Sequence, residues 1–274
     1  MSPFPHLVME NELDPGVFAE WEHGYPSDEI VVDGKPSKDA WYDFAACRVA
    51  KSNELSPVWR EFFRYHTSAE FYLQLVSLCG DAIRQLHPDI EANAGRALEE
   101  FRVGMRPGGR GDPLASGADI SMECQFYLNY TRQLRVVRGP HIDRPSELFA
   151  ALLYFRQPSD DSTGGNLEIC EATEDIYPTP QSVKVDSLPM EVSANRVKTV
   201  GAAPYKPNTL VLFLNSPKSL HAVVRRSPTP ISRRHINFCG DLNFDLFGIK
   251  LPARLKLKQS LQSMPLGWRI AKHL

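Results

Sequence analysis

Between Glu123 and Phe238 the chain breaks into eight short runs rich in branched and aromatic residues and separated by turn formers: ECQFYLNY, LRVVRGPH, FAALLYFR, NLEIC, RVKTVGA, TLVLFLN, LHAVVRR and ISRRHINF. Runs of this length and composition read as strands. Eight of them in about 120 residues point to a sandwich, barrel or jelly roll rather than to an alternating α/β sheet. The first third reads differently. Asp14-Pro15 is a helix start, with an acid at the N-cap and proline at the first helical position, and it opens a segment carrying Val17, Phe18 and Trp21 that Gly24 and Pro26 close. Ser56-Pro57 starts a second helix. Ser68 starts a third, with Phe71, Leu75, Leu78, Ile83 and Leu86 at helical spacing up to Pro88. Helices first and strands second is the expected architecture.

Two stretches lack a regular pattern. GMRPGGRGDPLASG, residues 104–117, is too rich in glycine and proline for a regular element and is expected to be a loop. Residues 171–195 read as a long connection able to overhang a site. The expected organisation is one domain: residues 1–120 form a mainly helical support, 121–245 a β core and 246–274 a C-terminal extension.

A chain of 274 residues with 42% hydrophobic and 23% charged residues can bury a substantial core without staples. Its formal net charge of −2 and the absence of a long basic run do not suggest a polyanion-binding surface, so no nucleic acid is expected as a partner. The basic stretch Arg254–Lys258 reads as a solvated face. Five scattered cysteines without a CxxC pair argue against a disulfide framework or a zinc ribbon. With no signal-peptide pattern and no run of 18 apolar residues, a cytoplasmic protein that does not enter a membrane is expected.

The chemistry concentrates in RGPHIDRP. His141 and Asp143 are two apart, so on a strand both side chains leave the same face and can converge on one metal ion. His221, in NSPKSLHAVV, follows 80 residues later at the start of another strand and supplies a third ligand. Two histidines and a carboxylate are the facial triad of non-haem Fe(II) sites, which leaves positions open for reactants. An isolated His-Xaa-Asp would mean little. The remaining histidines, His6, His23, His66, His87 and His273, sit in no motif, and His235 is either a pocket or a packing residue.

By the order and spacing of its motifs, the stretch from Tyr127 to Phe238 resembles the Fe(II)/2-oxoglutarate-dependent dioxygenase superfamily, in particular its prolyl-hydroxylase-like branch. The resemblance rests on His141-Xaa-Asp143, LLYF at 152–155, the Gly164-Gly165-Xaa-Leu167 turn, and NTLVLFLNSPKSLHAV leading to His221. It implies an α+β protein with a double-stranded β-helix core, the cupin-like jelly roll, and N-terminal helices packed on the major sheet. It also implies Fe(II) as metal, 2-oxoglutarate and O2 as co-substrates, and an arginine about one strand past the distal histidine for the C5 carboxylate of 2-oxoglutarate. Arg233 and Arg234 are the candidates. Alternation favours Arg233, which shares a strand face with the polar His235 and Asn237, whereas Arg234 shares one with Ile236 and Phe238. A guanidinium suits the task because its planar fork meets a carboxylate with two parallel hydrogen bonds. Tyr130, 11 residues before His141, corresponds to a co-substrate tyrosine, with Tyr127 and Asn129 as neighbouring alternatives.

The activity implied is hydroxylation of an unactivated carbon of a small-molecule or amino-acid-like substrate, with release of succinate and CO2. Asp143 favours hydroxylation over halogenation, because halogenases of the superfamily replace this carboxylate with a small residue. A protein or peptide hydroxylase of the same superfamily is the alternative. Outside the class stand a non-redox cupin-like metal protein, which has no need of the arginine, and a zinc hydrolase, which would want a general base near the metal.

Overall fold

The computed structural model describes residues 2–34, 41–108, 113–131, 138–174 and 190–248. The chain opens with strand β1 (His6–Glu10) and helices α1 (Pro15–His23) and α2 (Asp28–Val32), then strand β2 (Trp41–Ala45) and helices α3 (Ala46–Val49), α4 (Pro57–His66), α5 (Ala69–Leu86) and α6 (Ile90–Ala94). Strands β3 (Val103–Met105), β4 (Ile120–Thr131), β5 (Arg138–Ile142), β6 (Glu147–Tyr154) and β7 (Leu167–Ala172) follow. The last are β8 (Met190–Glu191), β9 (Val197–Ala203), β10 (Thr209–Leu214), β11 (His221–Val223) and β12 (Thr229–Leu242).

The helix starts lie where the capping residues put them. Asp14 accepts from the backbone N–H groups of Gly16 and Val17, Ser56 from that of Trp59 and Ser68 from that of Phe71. All eight expected strands are present, but the first third is less purely helical than its composition suggests. β1 pairs with β10 at one edge of the larger sheet, and β2 pairs with β4 at the other. Both are five-residue strands completed by partners far along the chain, so local pattern does not mark them.

The strands form two sheets. The larger runs β1-β10-β6-β12-β4-β2, with β3 added parallel to β4; the smaller runs β8-β5-β11-β7-β9. From β4 onward the chain crosses repeatedly between them: β4, β6, β10 and β12 belong to the larger sheet, and β5, the consecutive strands β7, β8 and β9, and β11 to the smaller. One face of the larger sheet packs on the helices through Phe126, Leu153, Ile236 and Phe238, which meet Trp59, Phe63 and Leu75 in the main core. The opposite face meets the smaller sheet through a second cluster that includes Ala150, Phe213, Ile169 and Tyr205. A cavity between the sheets therefore takes its apolar wall from this second cluster, through Ala150, Leu167 and Phe213.

Much of the 171–195 connection, part of the 104–117 loop, and the C-terminal extension beyond Gly248 lie outside the described residues. No helix among the described residues is long and apolar enough to cross a membrane. All five cysteines are free thiols, three of them buried.

Candidate metal centre and anion pocket

Two adjacent strands bring the ligands together. β11 pairs with β5 so that His221 lies directly opposite His141, and the rings sit 4.1 Å apart between centroids. Asp143 follows β5 by one residue. Its Oδ1 is 3.7 Å from His141 Nε2 and its Oδ2 is 3.5 Å from His221 Nε2. All three side chains are buried, and their ligand atoms lie within 4.8 Å of one another.

Hydrogen bonds behind the rings fix which nitrogen is available. His141 Nδ1 contacts the carbonyl of Gly139 at 2.8 Å, and His221 Nδ1 contacts that of Ser219 at 2.9 Å. A carbonyl only accepts, so each Nδ1 carries the hydrogen and each Nε2 presents a lone pair towards Asp143. Metal-binding histidines are oriented in this way by a backbone carbonyl behind the ring. Burial, reinforced by His221 and Arg138, also holds the His141 imidazole well below its ordinary pKa, in the neutral form a metal requires. The residues therefore fit a divalent cation by tautomer, by charge and by convergence.

The loops that carry the ligands are tied to each other by Asn215, which is fully buried. Its Nδ2 donates to the carbonyls of Arg144 (2.7 Å) and Glu147 (2.8 Å), just past Asp143. Its Oδ1 accepts from Ser219 Oγ at 2.7 Å, just before His221. Sequence reasoning passed over Asn215; its signal is the turn composition NSPKS between a strand and the distal histidine.

The same cavity contains Arg233, 2% exposed. Its Nε donates to the carbonyl of Gly165 (3.1 Å), Nη1 to His235 Nδ1 (3.2 Å) and Nη2 to Tyr154 Oη (3.1 Å). Because a guanidinium only donates, His235 must accept at Nδ1 and carry its hydrogen on Nε2. Burial and the Arg233 charge keep that ring neutral. The guanidinium carbon lies 4.9 Å from the ring centres of both Tyr154 and Tyr205. Among the described residues no carboxylate pairs with Arg233, unlike the buried Arg226, which is 2.7 Å from Asp160. A buried cation supported by neutral donors and acceptors is a place for an anion from outside the chain.

Alternation on β12 divides the two candidate arginines as expected. Arg234 points to the helix side, pairs with Asp28 at 2.6 Å and lies over the ring of Tyr25. The structure does not bring Tyr130 to the cavity. Tyr130 shares the helix-facing side of β4 with Leu128 and hydrogen-bonds Asp28 at 2.5 Å, whereas Tyr127 and Asn129 line the pocket opposite His235 and Arg233. Tyr154, of the LLYF stretch, holds the arginine by accepting from its Nη2.

A second buried group, Glu147, Cys239 and Asp241, also clusters its ligand atoms. There Asp241 already accepts from Arg106, from Arg144 and from Ser146. Guanidinium groups stand where a metal would.

No family model matches the chain, and no curated protein matches it by sequence. Solved structures similar to it include SnoN, described as a non-haem α-ketoglutarate-dependent epimerase from nogalamycin biosynthesis, at 12% identity and a TM-score of 0.47, covering 92% of this chain and 82% of that one. A prolyl-4-hydroxylase from Pseudomonas putida has 14% identity and a TM-score of 0.39, with coverage of 88% and 93%. The auxin-oxidation dioxygenase AtDAO1 of Arabidopsis thaliana, solved with 2-oxoglutarate, has 12% identity and a TM-score of 0.39, with coverage of 92% and 88%.

Proposed function

We propose that this chain is an Fe(II)- and 2-oxoglutarate-dependent oxygenase that hydroxylates an unactivated carbon of a small-molecule or amino-acid-like substrate. The observation that carries this reading is one cavity holding both a His-Asp-His set with its histidine Nε2 lone pairs converging and a buried arginine that no carboxylate pairs among the described residues. His141, Asp143 and His221 would hold the iron, and Arg233 would hold the far carboxylate of 2-oxoglutarate. Bound iron and 2-oxoglutarate supply the oxidising chemistry: one O2 and one 2-oxoglutarate are consumed, one C–H becomes C–OH, and succinate and CO2 leave.

The chain's own residues do the rest. Asp143 contributes one negative charge to offset the cation, and the two histidines contribute Nε2 lone pairs. Tyr154 and the Gly165 carbonyl aim Arg233, and neutral His235 lets the arginine keep its full positive charge for the co-substrate. Ala150, Leu152, Leu167 and Phe213 give the cavity an apolar wall beside its polar groups. Within this reading the two sheets are a double-stranded β-helix, residues 121–245 are the catalytic core and 1–120 its helical support. The free thiols suit a cytoplasmic enzyme.

The test is anaerobic addition of Fe(II) and then 2-oxoglutarate to the purified protein. A weak visible charge-transfer band that appears only with both is expected. A protein that retains iron and gives no band with 2-oxoglutarate would overturn the proposal.

A further inference from the structure

Asn237 lines the same cavity as the metal ligands and Arg233, and its Nδ2 is buried without an acceptor among the described residues. The residue paired with it in register on β4 is Gln125, whose Nε2 is likewise buried without an acceptor. The two residues are 8% and 1% exposed. A buried amide donor that meets no acceptor destabilises the fold that holds it, so two such donors side by side call for a cause. Asn215 shows what a structural amide does in this protein: its Nδ2 and Oδ1 tie the two ligand loops together. The Nδ2 of Asn237 and the Nε2 of Gln125 tie nothing.

Register puts the two amides on one face. Residues directly opposite on antiparallel strands have Cβ atoms about 4.5–5.5 Å apart, and one carbonyl oxygen has lone pairs for two donors. On the other side of Asn237 stands Leu152 of β6, so the surface beyond the pair is apolar. Along the same face the neighbours are His235 and Cys239 on β12, and Tyr127 and Glu123 on β4. Burial and the Arg233 charge keep His235 neutral, and none of the other three is a cation. A carboxylate placed here would lose its hydration without gaining a counter-charge, and it would stand beside Glu123. A neutral carbonyl meets no such penalty, and among neutral carbonyls the amide is the strongest acceptor.

We propose that Asn237 and Gln125 donate to a neutral amide carbonyl of the substrate, so that the molecule hydroxylated is a carboxamide, a lactam or a peptide-bonded residue, held at this point by a dipole and not by a charge. The inference rests on the oxygenase reading above and deepens it. Arg233 selects the co-substrate by its negative charge, and the amide pair selects the substrate by an uncharged oxygen. A site built to hydrogen-bond such an oxygen discriminates against molecules that lack it, because its own donors are then left buried and unpaired.

The experiment starts from the full-length protein loaded with Fe(II) and 2-oxoglutarate and kept free of oxygen. Benzamide and L-prolinamide, valerolactam, and the capped peptide unit N-acetyl-L-alanine methylamide are titrated in, with benzoate and L-proline as the matched acids. At least one amide should shift the charge-transfer band, at a concentration roughly tenfold or more below either acid. The class that responds identifies the source of the carbonyl. Asn237→Leu and Gln125→Met keep the size of the side chain and lose the donor, and each should weaken the responding amide roughly 3- to 10-fold, as for one lost hydrogen bond. Both variants should unfold at urea concentrations equal to or above that of wild type, because a buried unpaired amide has been removed, whereas amides with a structural role would give the opposite. Absence of the band in wild type would remove the oxygenase reading and this inference with it. With the band present, the inference alone is overturned if no amide shifts it, if benzoate or L-proline shifts it as readily, or if both variants respond like wild type. Loss of stability in both variants would overturn it as well.

Discussion

Arg233 and Arg234 are neighbours in the chain and leave β12 on opposite faces: Arg233 is buried in the cavity against Tyr154 and His235, and Arg234 pairs with Asp28 beneath the helices. Their substitutions should therefore separate cleanly. Arg233→Lys keeps a charge but loses the fork, and should weaken 2-oxoglutarate binding by about 1.5–3 kcal/mol, roughly 10- to 100-fold. Arg234→Ala should leave that affinity within about twofold and lower stability by up to about 1 kcal/mol, because the lost pair is partly exposed. Titration of the iron-loaded protein with 2-oxoglutarate, beside urea unfolding, reads both. The opposite pattern would move the anion site to the other face of the strand.

Removing a ligand should act on the metal before it acts on the fold. His141→Ala, Asp143→Ala and His221→Ala should each reduce Fe(II) affinity by more than the roughly 10- to 100-fold that follows loss of a hydrogen bond behind a ligand. Asn215→Ala, which unties the two ligand loops without touching their side chains, should fall within that lower range. Equilibrium binding of Fe(II), or of Co(II) as a coloured substitute, measures all four. Equal losses for Asn215→Ala and His221→Ala would mean that the loops, not the ligands, decide affinity.

The residues of this site were legible to unequal degrees, for physical reasons. His141 and Asp143 could be read because a two-residue spacing in extended chain shares a face, which holds even though β5 ends at Ile142, and Arg233 because period-two alternation separates it from Arg234. Tyr130 shows the limit of motif distance. The residue type fits, but its parity on β4 sends it to Asp28, while Tyr127 and Asn129 face the cavity. On β6, Glu147, Ala150 and Leu152 line one cavity despite an odd spacing, because the pairing with β12 shifts register near Gly240. β1 and β2 escaped notice since each is short and completed by a partner more than 80 residues away, as in the pairing of Trp41 with Asn129. Asn215, whose role consists entirely of hydrogen bonds to two loops, leaves only a turn signature in the chain.

The paired glycines before β7 should be among the least replaceable residues of the core. Gly164 has φ +80°, and a Cβ there would stand 2.0 Å from the carbonyl oxygen of Arg225, which is backbone and cannot swing aside. Gly165, at φ +81°, supplies the carbonyl that receives Arg233 Nε. Gly164→Ala should cost about 2–4 kcal/mol in stability, combining left-handed strain with the clash. It should also weaken 2-oxoglutarate binding by displacing the next carbonyl. Denaturation and co-substrate titration of the same variant test the two halves, and a stable protein with wild-type affinity would contradict the backbone assignment.

Glu123 should make stability fall with rising pH. Its side chain is buried on β4, and burial pushes its carboxyl up to about 8, against the opposing pull of Arg106 at 3.6 Å. An unfolded glutamate titrates near 4.5. Between about 4.5 and about 8 the folded protein therefore keeps a proton that the unfolded chain has released, and stability declines as pH climbs through that window. Below it both states are protonated, and above it both are ionised, so this group adds no slope on either side. Glu123→Gln, which keeps the shape and cannot ionise, should remove that share of the decline. Relative to wild type the variant should gain on the order of 1–3 kcal/mol between pH 5 and pH 9. Urea midpoints measured across that range provide the check: parallel curves for the two proteins would mean that Arg106 holds Glu123 ionised throughout, and the buried pair would then be a true ion pair rather than a neutral acid beside a guanidinium.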